Sequence, residues 1–264
     1  MSIRTRSFVM KKDTSGRLLL PKRTSKPRAH GITAITDLGM PLPELRGLLS
    51  EYHPYLDIAK FGVGSAYLTP RLAEKVALYR EYNVVPYFGG TLFEKFYHQK
   101  NVKGYLGYLR AQNVDWIEIS NGTIEMPLAE RTKLVKQLSK EFHVLAEVGC
   151  KDAEKIMPPS QWIDELKSLL DAGATYVITE GRDSATAGIY RTSGEVREGL
   201  LTDILHAIDR EKVIFEAPTA KTQMYFINLL GPNVNLGNVA LKDLLLLESQ
   251  RCGLRYETFF KTTA

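Results

Sequence analysis

Trp116-Ile117-Glu118-Ile119-Ser120-Asn121-Gly122-Thr123 is a short β-branched segment that runs into a polar, glycine-containing end, and it carries a carboxylate where an apolar residue would be ordinary. The same construction recurs along the chain. Residues 31–37, 57–62 and 84–91 precede it, and residues 144–149, 176–182, 213–218 and 234–238 follow it. Between these segments, apolar residues fall at three and four spacing over 41–51, 70–82, 94–112, 127–141, 160–172, 195–209, 221–230 and 241–252, which predicts helices. Strand and helix therefore alternate eight times. That order implies a parallel sheet, and eight such units close into a (β/α)8 TIM barrel of class α/β whose chemistry sits at the strand C-termini.

Length and composition fit one enzyme-sized domain: 264 residues, 44% of them hydrophobic. The net charge of +5 and pI near 9.0 are unevenly placed. Residues 1–28 hold nine Lys/Arg against one acid, Asp13, which leaves 26 basic and 29 acidic residues and a net of −3 for residues 29–264. The expectation is a flexible basic arm over 1–28 and a catalytic barrel over 29–264, with no nucleic-acid partner. Leu18-Leu19-Leu20 stops at Pro21, short of the roughly 7–15 apolar residues of a secretory signal. No stretch approaches the ~18 apolar residues of a membrane span. Two cysteines, Cys150 and Cys252, are too few for a disulfide framework, so the expected compartment is the cytoplasm.

The predicted strand ends carry unusual charge. Glu118, Glu147, Glu180 and Glu216 lie on four strands, Lys60 on a fifth, and Asp37 closes the first. A carboxylate in an apolar strand is costly unless it meets a cation in the barrel mouth. Lys60, Lys151 and Arg182 match these acids only in part, so the set calls for a divalent cation or raised pKa values. Mg2+ suits all-oxygen ligands. The competing reading is a structural ring of ion pairs, which also perturbs titration.

Anion-binding elements are expected on the same rim. Gly89-Gly90-Thr91, Asn121-Gly122-Thr123 and Asn235-Leu236-Gly237-Asn238 bring glycine backbone close to the predicted strand ends, although glycines also serve ordinary turns. Substrate-binding candidates are thus Asp37, Gly90, Thr91, Asn121, Asn235, Gly237 and Asn238. The five histidines lack ligand spacing, and Cys150 has no histidine placed to activate it.

Taken in order, Lys60-Phe61-Gly62, Gly89-Gly90-Thr91-Leu92-Phe93-Glu94, Ile117 to Thr123, Glu147-Val148-Gly149 with Lys151-Asp152, Glu180-Gly181-Arg182-Asp183-Ser184, Phe215-Glu216-Ala217-Pro218 and Gly231 to Asn238 resemble the phosphosulfolactate synthase family. Thr24 to Arg28 and Leu254-Arg255 extend the match over nearly the whole barrel. The resemblance implies a carbon–sulfur lyase that adds sulfite to phosphoenolpyruvate with Mg2+, giving (2R)-phospho-3-sulfolactate, a step that opens a coenzyme M route in methanogens. It implies self-association as well. Placed on this chain, Glu118 and Glu147 are the preferred metal ligands, with Glu180 and Glu216 second. Lys151 is the first choice of proton donor and Lys60 the second. Arg182 pairs with phosphate or carboxylate, and Asn235, Gly237 and Asn238 help hold the phosphate.

The chain departs from the family pattern at Leu38, at Gly62-Val63-Gly64-Ser65-Ala66 and at Gly181. Two other readings stay open. One is a barrel enzyme for another small phosphorylated or enolic acid. The other is a non-catalytic, stress-protective member, as plant relatives of the family are linked to thermotolerance.

Overall fold

The computed structural model describes residues 18–260. In chain order the elements are β1 (Thr33–Asp37), α1 (Leu42–Tyr52), β2 (Ile58–Phe61), α2 (Ser65–Leu68), α3 (Leu72–Glu81), β3 (Val85–Phe88), α4 (Gly90–His98), α5 (Val102–Ala111), β4 (Trp116–Ile119), α6 (Leu128–Leu138), β5 (His143–Val148), α7 (Pro159–Asp171), β6 (Tyr176–Thr179), α8 (Glu198–Ala207), β7 (Val213–Glu216), α9 (Ala220–Leu230), β8 (Leu236–Ala240) and α10 (Leu244–Arg251). The strands pair in parallel in sequence order, and β8 returns to β1 to close the barrel. The expected (β/α)8 architecture is the observed one.

Strand parity explains the interior. Ala34, Ile58, Tyr87, Leu145, Ile178 and Ile214 meet inside the barrel, while their sequence neighbours, such as Ile35, Ala59, Phe88 and Phe215, pack against the helices. Each fully buried Leu, Ile or Phe of that outer layer contributes roughly 1.5–3 kcal/mol. At the base, Trp116 stacks on His143 at 4.9 Å and on Tyr176 at 6.3 Å between ring centroids, closing the N-terminal end. Two residues further along the inward face stand the charged residues of the mouth.

Three local expectations need correction. The helix expected over 94–112 is two helices, because Lys100 turns left-handed (φ 56°) and the Asn101 side chain accepts from Gly104 N, capping α5. The first of them starts at Gly90, four residues before the expected start at 94, so the glycine pair is its cap and opening residue. The last helix is split as well: a 3-10 turn at Leu241–Asp243 precedes α10. The short α2 was not anticipated.

The flexible arm expected over 1–28 falls largely outside the described residues. Its described end is tied under the barrel: Arg23 pairs with Glu248 at 3.0 Å and Arg28 with Asp57 at 2.9 Å. Lys26 Nζ donates to the carbonyls of His53 (2.9 Å) and Leu56 (2.6 Å). Among the described residues, no helix is long and apolar enough to cross a membrane.

Candidate active site

Lys60 Nζ stands among three carboxylates: 3.3 Å from Glu216 Oε1, 3.4 Å from Glu118 Oε2 and 3.7 Å from Glu147 Oε2. Lys151, from the loop after β5, lies 3.5 Å from Glu180 Oε2 and 3.7 Å from Glu147 Oε1. The Lys151 side chain keeps 32% of its exposure against 12% for Lys60, so a ligand entering from solvent reaches Lys151 first. All four glutamates are buried.

Backbone amides hold three of them. Gly90 N donates to Glu118 Oε1 at 2.6 Å, Arg182 N to Glu180 Oε1 at 2.7 Å and Gly181 N to Glu216 Oε2 at 2.8 Å. Residue 90 has to be glycine, because a Cβ there would stand 2.2 Å from Ser120 Oγ and 2.4 Å from Glu118 Oε1. Gly181 and Arg182 form a two-amide cradle, helped by the left-handed φ of 56° at Arg182. Tyr190 fixes that loop by donating its phenol to the Glu216 carbonyl.

Charge settles accordingly. Burial opposes a charged Lys60, yet Glu118, Tyr87, Glu216 and Glu147 together outweigh it and hold the ammonium well above the ordinary lysine range. Burial raises Glu118 to about 7, against the pull of Lys60 and with the push of Glu147 and Glu216. Burial likewise lifts Glu180 and Glu216. For Glu147, burial is overcome by Lys151 and Lys60, and its pKa falls below the usual carboxylate value. Burial resists charge on Lys151 as well, but Glu147 and Glu180 keep it protonated.

One oxygen each of Glu147, Glu180 and Glu216 fall within 4.8 Å of one another. Glu118 stands outside that trio. Glu118 Oε2, Glu147 Oε1 and Glu180 Oε2 accept no hydrogen bond, and each has only its lysine ammonium as an ion-pair neighbour. Three hard oxygen donors in one buried cluster fit a small divalent cation such as Mg2+.

Several expected participants stand elsewhere. Asp37 points outward from β1, not into the mouth; it pairs with Lys75 Nζ at 2.7 Å and accepts from Tyr79 Oη at 2.9 Å. Strand parity puts Thr36 inward instead, where it donates to Asn238 Oδ1 at 3.0 Å. Asn235 precedes β8 at the barrel base, accepting from Ile32 N and donating to the carbonyls of Glu211 and Val213. Its amide is fully used and cannot reach a ligand at the mouth. Asn121 is turned toward Arg131, which donates to its Oδ1 at 2.8 Å. Glu118 already occupies Gly90 N, so this helix start is not an open anion site. Thr91 is exposed on the first turn of α4, and Arg182 is exposed on the rim, 3.3 Å from the Lys151 carbonyl. Gly237 and Asn238 do lie at the mouth, where the β8–β1 register shifts and Asn238 takes a φ of 53°.

Sequence reasoning did not single out Tyr87, Ser120 and Glu94. Glu94 is buried in α4, its Oε1 accepts from Ser120 Oγ at 2.6 Å, and its Oε2 is unpartnered. The signal was present in the period-two alternation of β3 and β4 and in a glutamate set beside buried Leu92 and Phe93.

The barrel and its ring of acids around two lysines define a β/α-barrel enzyme centre at the strand C-termini. Comparison with known proteins narrows the class. A family model described as (2R)-phospho-3-sulfolactate synthase (ComA) matches residues 21–257, and the chain belongs to that family. It is 43% identical to the phosphosulfolactate synthase of Bacillus subtilis (strain 168), over 92% of this chain and 98% of that one. It is 39% identical to the phosphosulfolactate synthase of Methanothermobacter thermautotrophicus (strain Delta H), over 92% and 96%. Among solved structures, the YdjI aldolase from Escherichia coli K12 superposes with a TM-score of 0.52 at 12% identity, over 86% of this chain and 80% of that one, a likeness of fold alone.

Proposed function

We propose that this chain adds sulfite to phosphoenolpyruvate to give (2R)-phospho-3-sulfolactate, with Mg2+ as cofactor. The observation that carries the reading is the grouping of Glu147, Glu180 and Glu216 beside the more accessible ammonium, Lys151. Family membership supports the same substrates.

Glu147, Glu180 and Glu216 would hold the cation, and Glu147 Oε1 and Glu180 Oε2, which accept no hydrogen bond, give it places to bind. When bound, the metal supplies Lewis-acid stabilisation of negative charge on the substrate. The protein's own groups do the rest. Lys60, held charged by its carboxylates, is an anion clamp at the floor of the mouth. Sulfite sulfur forms a bond to the methylene carbon, and the displaced π pair moves to the phosphate-bearing carbon and its carboxylate. Lys151 then gives its proton to that carbon and is reprotonated from solvent. No base is needed, because sulfite is already an anion near neutral pH. Arg182, on the rim beside Lys151, is placed to meet phosphate in forked geometry. Glu118, outside the trio and bonded by Gly90 N, keeps Lys60 protonated.

Loss of enol absorbance in a mixture of protein, phosphoenolpyruvate, sulfite and Mg2+ tests the reading. Turnover that EDTA removes and Mg2+ restores is expected. Absence of turnover with metal and both substrates present refutes it.

A further inference from the structure

A cavity of about 490 Å3 opens at the barrel base, opposite the glutamates, between α9, α10, the turn before β8 and residues 21–22. Lys22, His30, Arg210, Gln250 and Arg251 line it, and Glu211 is the one acid among its lining residues. His30 Nδ1 lies 3.5 Å from Glu211 Oε2, so that acid already has a neighbour.

Two buried side chains in the wall are incompletely satisfied. Gln250 is fully buried, and neither Nε2 nor Oε1 has a partner. Leaving such an amide unpaired is a standing penalty, so it calls for a water or ligand contact. Arg251 is 1% exposed, and its Nε is also unpartnered. Its other nitrogens donate to the carbonyls of Pro232, Val234 and Ile32 and to Thr33 Oγ1, all of them neutral. Among the described residues no carboxylate comes within ion-pair distance of Arg251. The nearby acids are engaged, Glu248 by Arg23 and Asp57 by Arg28. An arginine stays charged in proteins, and a buried charge without a counter-charge is among the costliest arrangements a fold can keep.

We propose that this basal cavity is a second ligand site that takes a small oxyanion, a phosphate or carboxylate group. The anion supplies the counter-charge that Arg251 lacks across the cavity wall, and a turn of the Gln250 amide in that wall gives it an N–H to accept from. Lys22 and Arg210, both exposed at the rim, draw it in. The mouth lies at the far end of the strands, so this site is distinct from the one that would bind phosphoenolpyruvate, and it does not depend on that reading.

Calorimetric titration of inorganic phosphate into the full chain, free of Mg2+, tests the site. The variants are Lys22→Ala with Arg210→Ala, Gln250→Leu, and Arg182→Ala as a mouth control. Saturable binding is expected in the wild type, weakened about tenfold or more in both basal variants and retained in Arg182→Ala. Gln250→Leu also removes the unpaired amide, so its melting temperature without phosphate holds or rises while the phosphate-dependent rise is lost. The rim double variant changes only exposed side chains and decides the question if Gln250→Leu does not fold. Binding lost in Arg182→Ala but kept in both basal variants would place the phosphate at the mouth and overturn the proposal. So would wild-type affinity in every variant, or no saturable heat up to about 10 mM phosphate.

Discussion

At the mouth, Lys60 and Lys151 face Glu118, Glu147, Glu180 and Glu216; at the base, Arg23, Lys26, Arg28 and Arg251 face Asp57 and Glu248. One barrel therefore carries an acidic excess at one end and a basic excess at the other. The difference lies in what the polar atoms do. Most basal donors are spent on backbone carbonyls, as with Lys26 on His53 and Leu56, and so they fasten the chain beneath the strand starts. At the mouth, three carboxylate oxygens accept no hydrogen bond and have only a lysine ammonium at 3.4 to 3.7 Å, and the basal exceptions, Gln250 and Arg251 Nε, belong to residues that line the basal cavity. Spent polar atoms mark structure, and unspent buried ones mark a place where a ligand enters.

The sharpest test of this contrast is Lys151→Ala. A positioned proton donor contributes about 10²–10⁴-fold, so turnover should fall by roughly that factor while Mg2+ and phosphoenolpyruvate binding, followed by calorimetry, persist. Turnover near the wild-type rate would move proton donation to Lys60. Next in size, Glu216→Gln should weaken the Mg2+ requirement roughly 10- to 100-fold, read from the Mg2+ dependence of rate and from direct Mn2+ binding. A metal response unchanged in Glu216→Gln and in Glu180→Gln would dissolve the trio.

At the other end, Asn235→Ala should cost stability and not catalysis. It leaves Ile32 N and two carbonyls unpaired, a loss of about 2 kcal/mol in denaturant unfolding, with the KM for phosphoenolpyruvate unchanged. A raised KM at full stability would return Asn235 to the phosphate.

Asn235 also shows where reading the chain reached its limit. The eight-fold alternation and the identity of the inward glutamates were legible, because strand period and the cost of a buried carboxylate leave few alternatives. The phase of a strand was harder. Asp37 and Thr36 are adjacent, and only the register of β1 against β2 decides which faces inward. β8 begins two residues later than the sequence suggested and contains a register shift, so Asn235 falls to the base while Asn238 stays at the mouth. Glu94 was hidden for another reason: an α4 that starts at Gly90 places it beside Ser120, a contact between segments 26 positions apart.

The last test separates the two ends by pH, one unit at a time. Burial, then Glu147 and Glu216, raise Glu118 to about 7 despite Lys60, whereas an unfolded glutamate titrates near 4.5. Between those values the native state keeps a proton that the unfolded chain has released. Glu118 should therefore make the metal-free protein less stable as pH rises from 4.5 to 7, with a limiting slope of about 1.4 kcal/mol per pH unit for its one proton. Glu180 and Glu216, raised by burial too, add to the fall. Glu118→Gln removes one titrating group and should make the slope shallower by about that one proton, and denaturant unfolding in EDTA at several pH values measures it. A slope unchanged in Glu118→Gln, in Glu180→Gln and in Glu216→Gln would take the titrating groups out of the mouth, and with them the distinction between a mouth poised for a cation and a base whose ion pairs are already made.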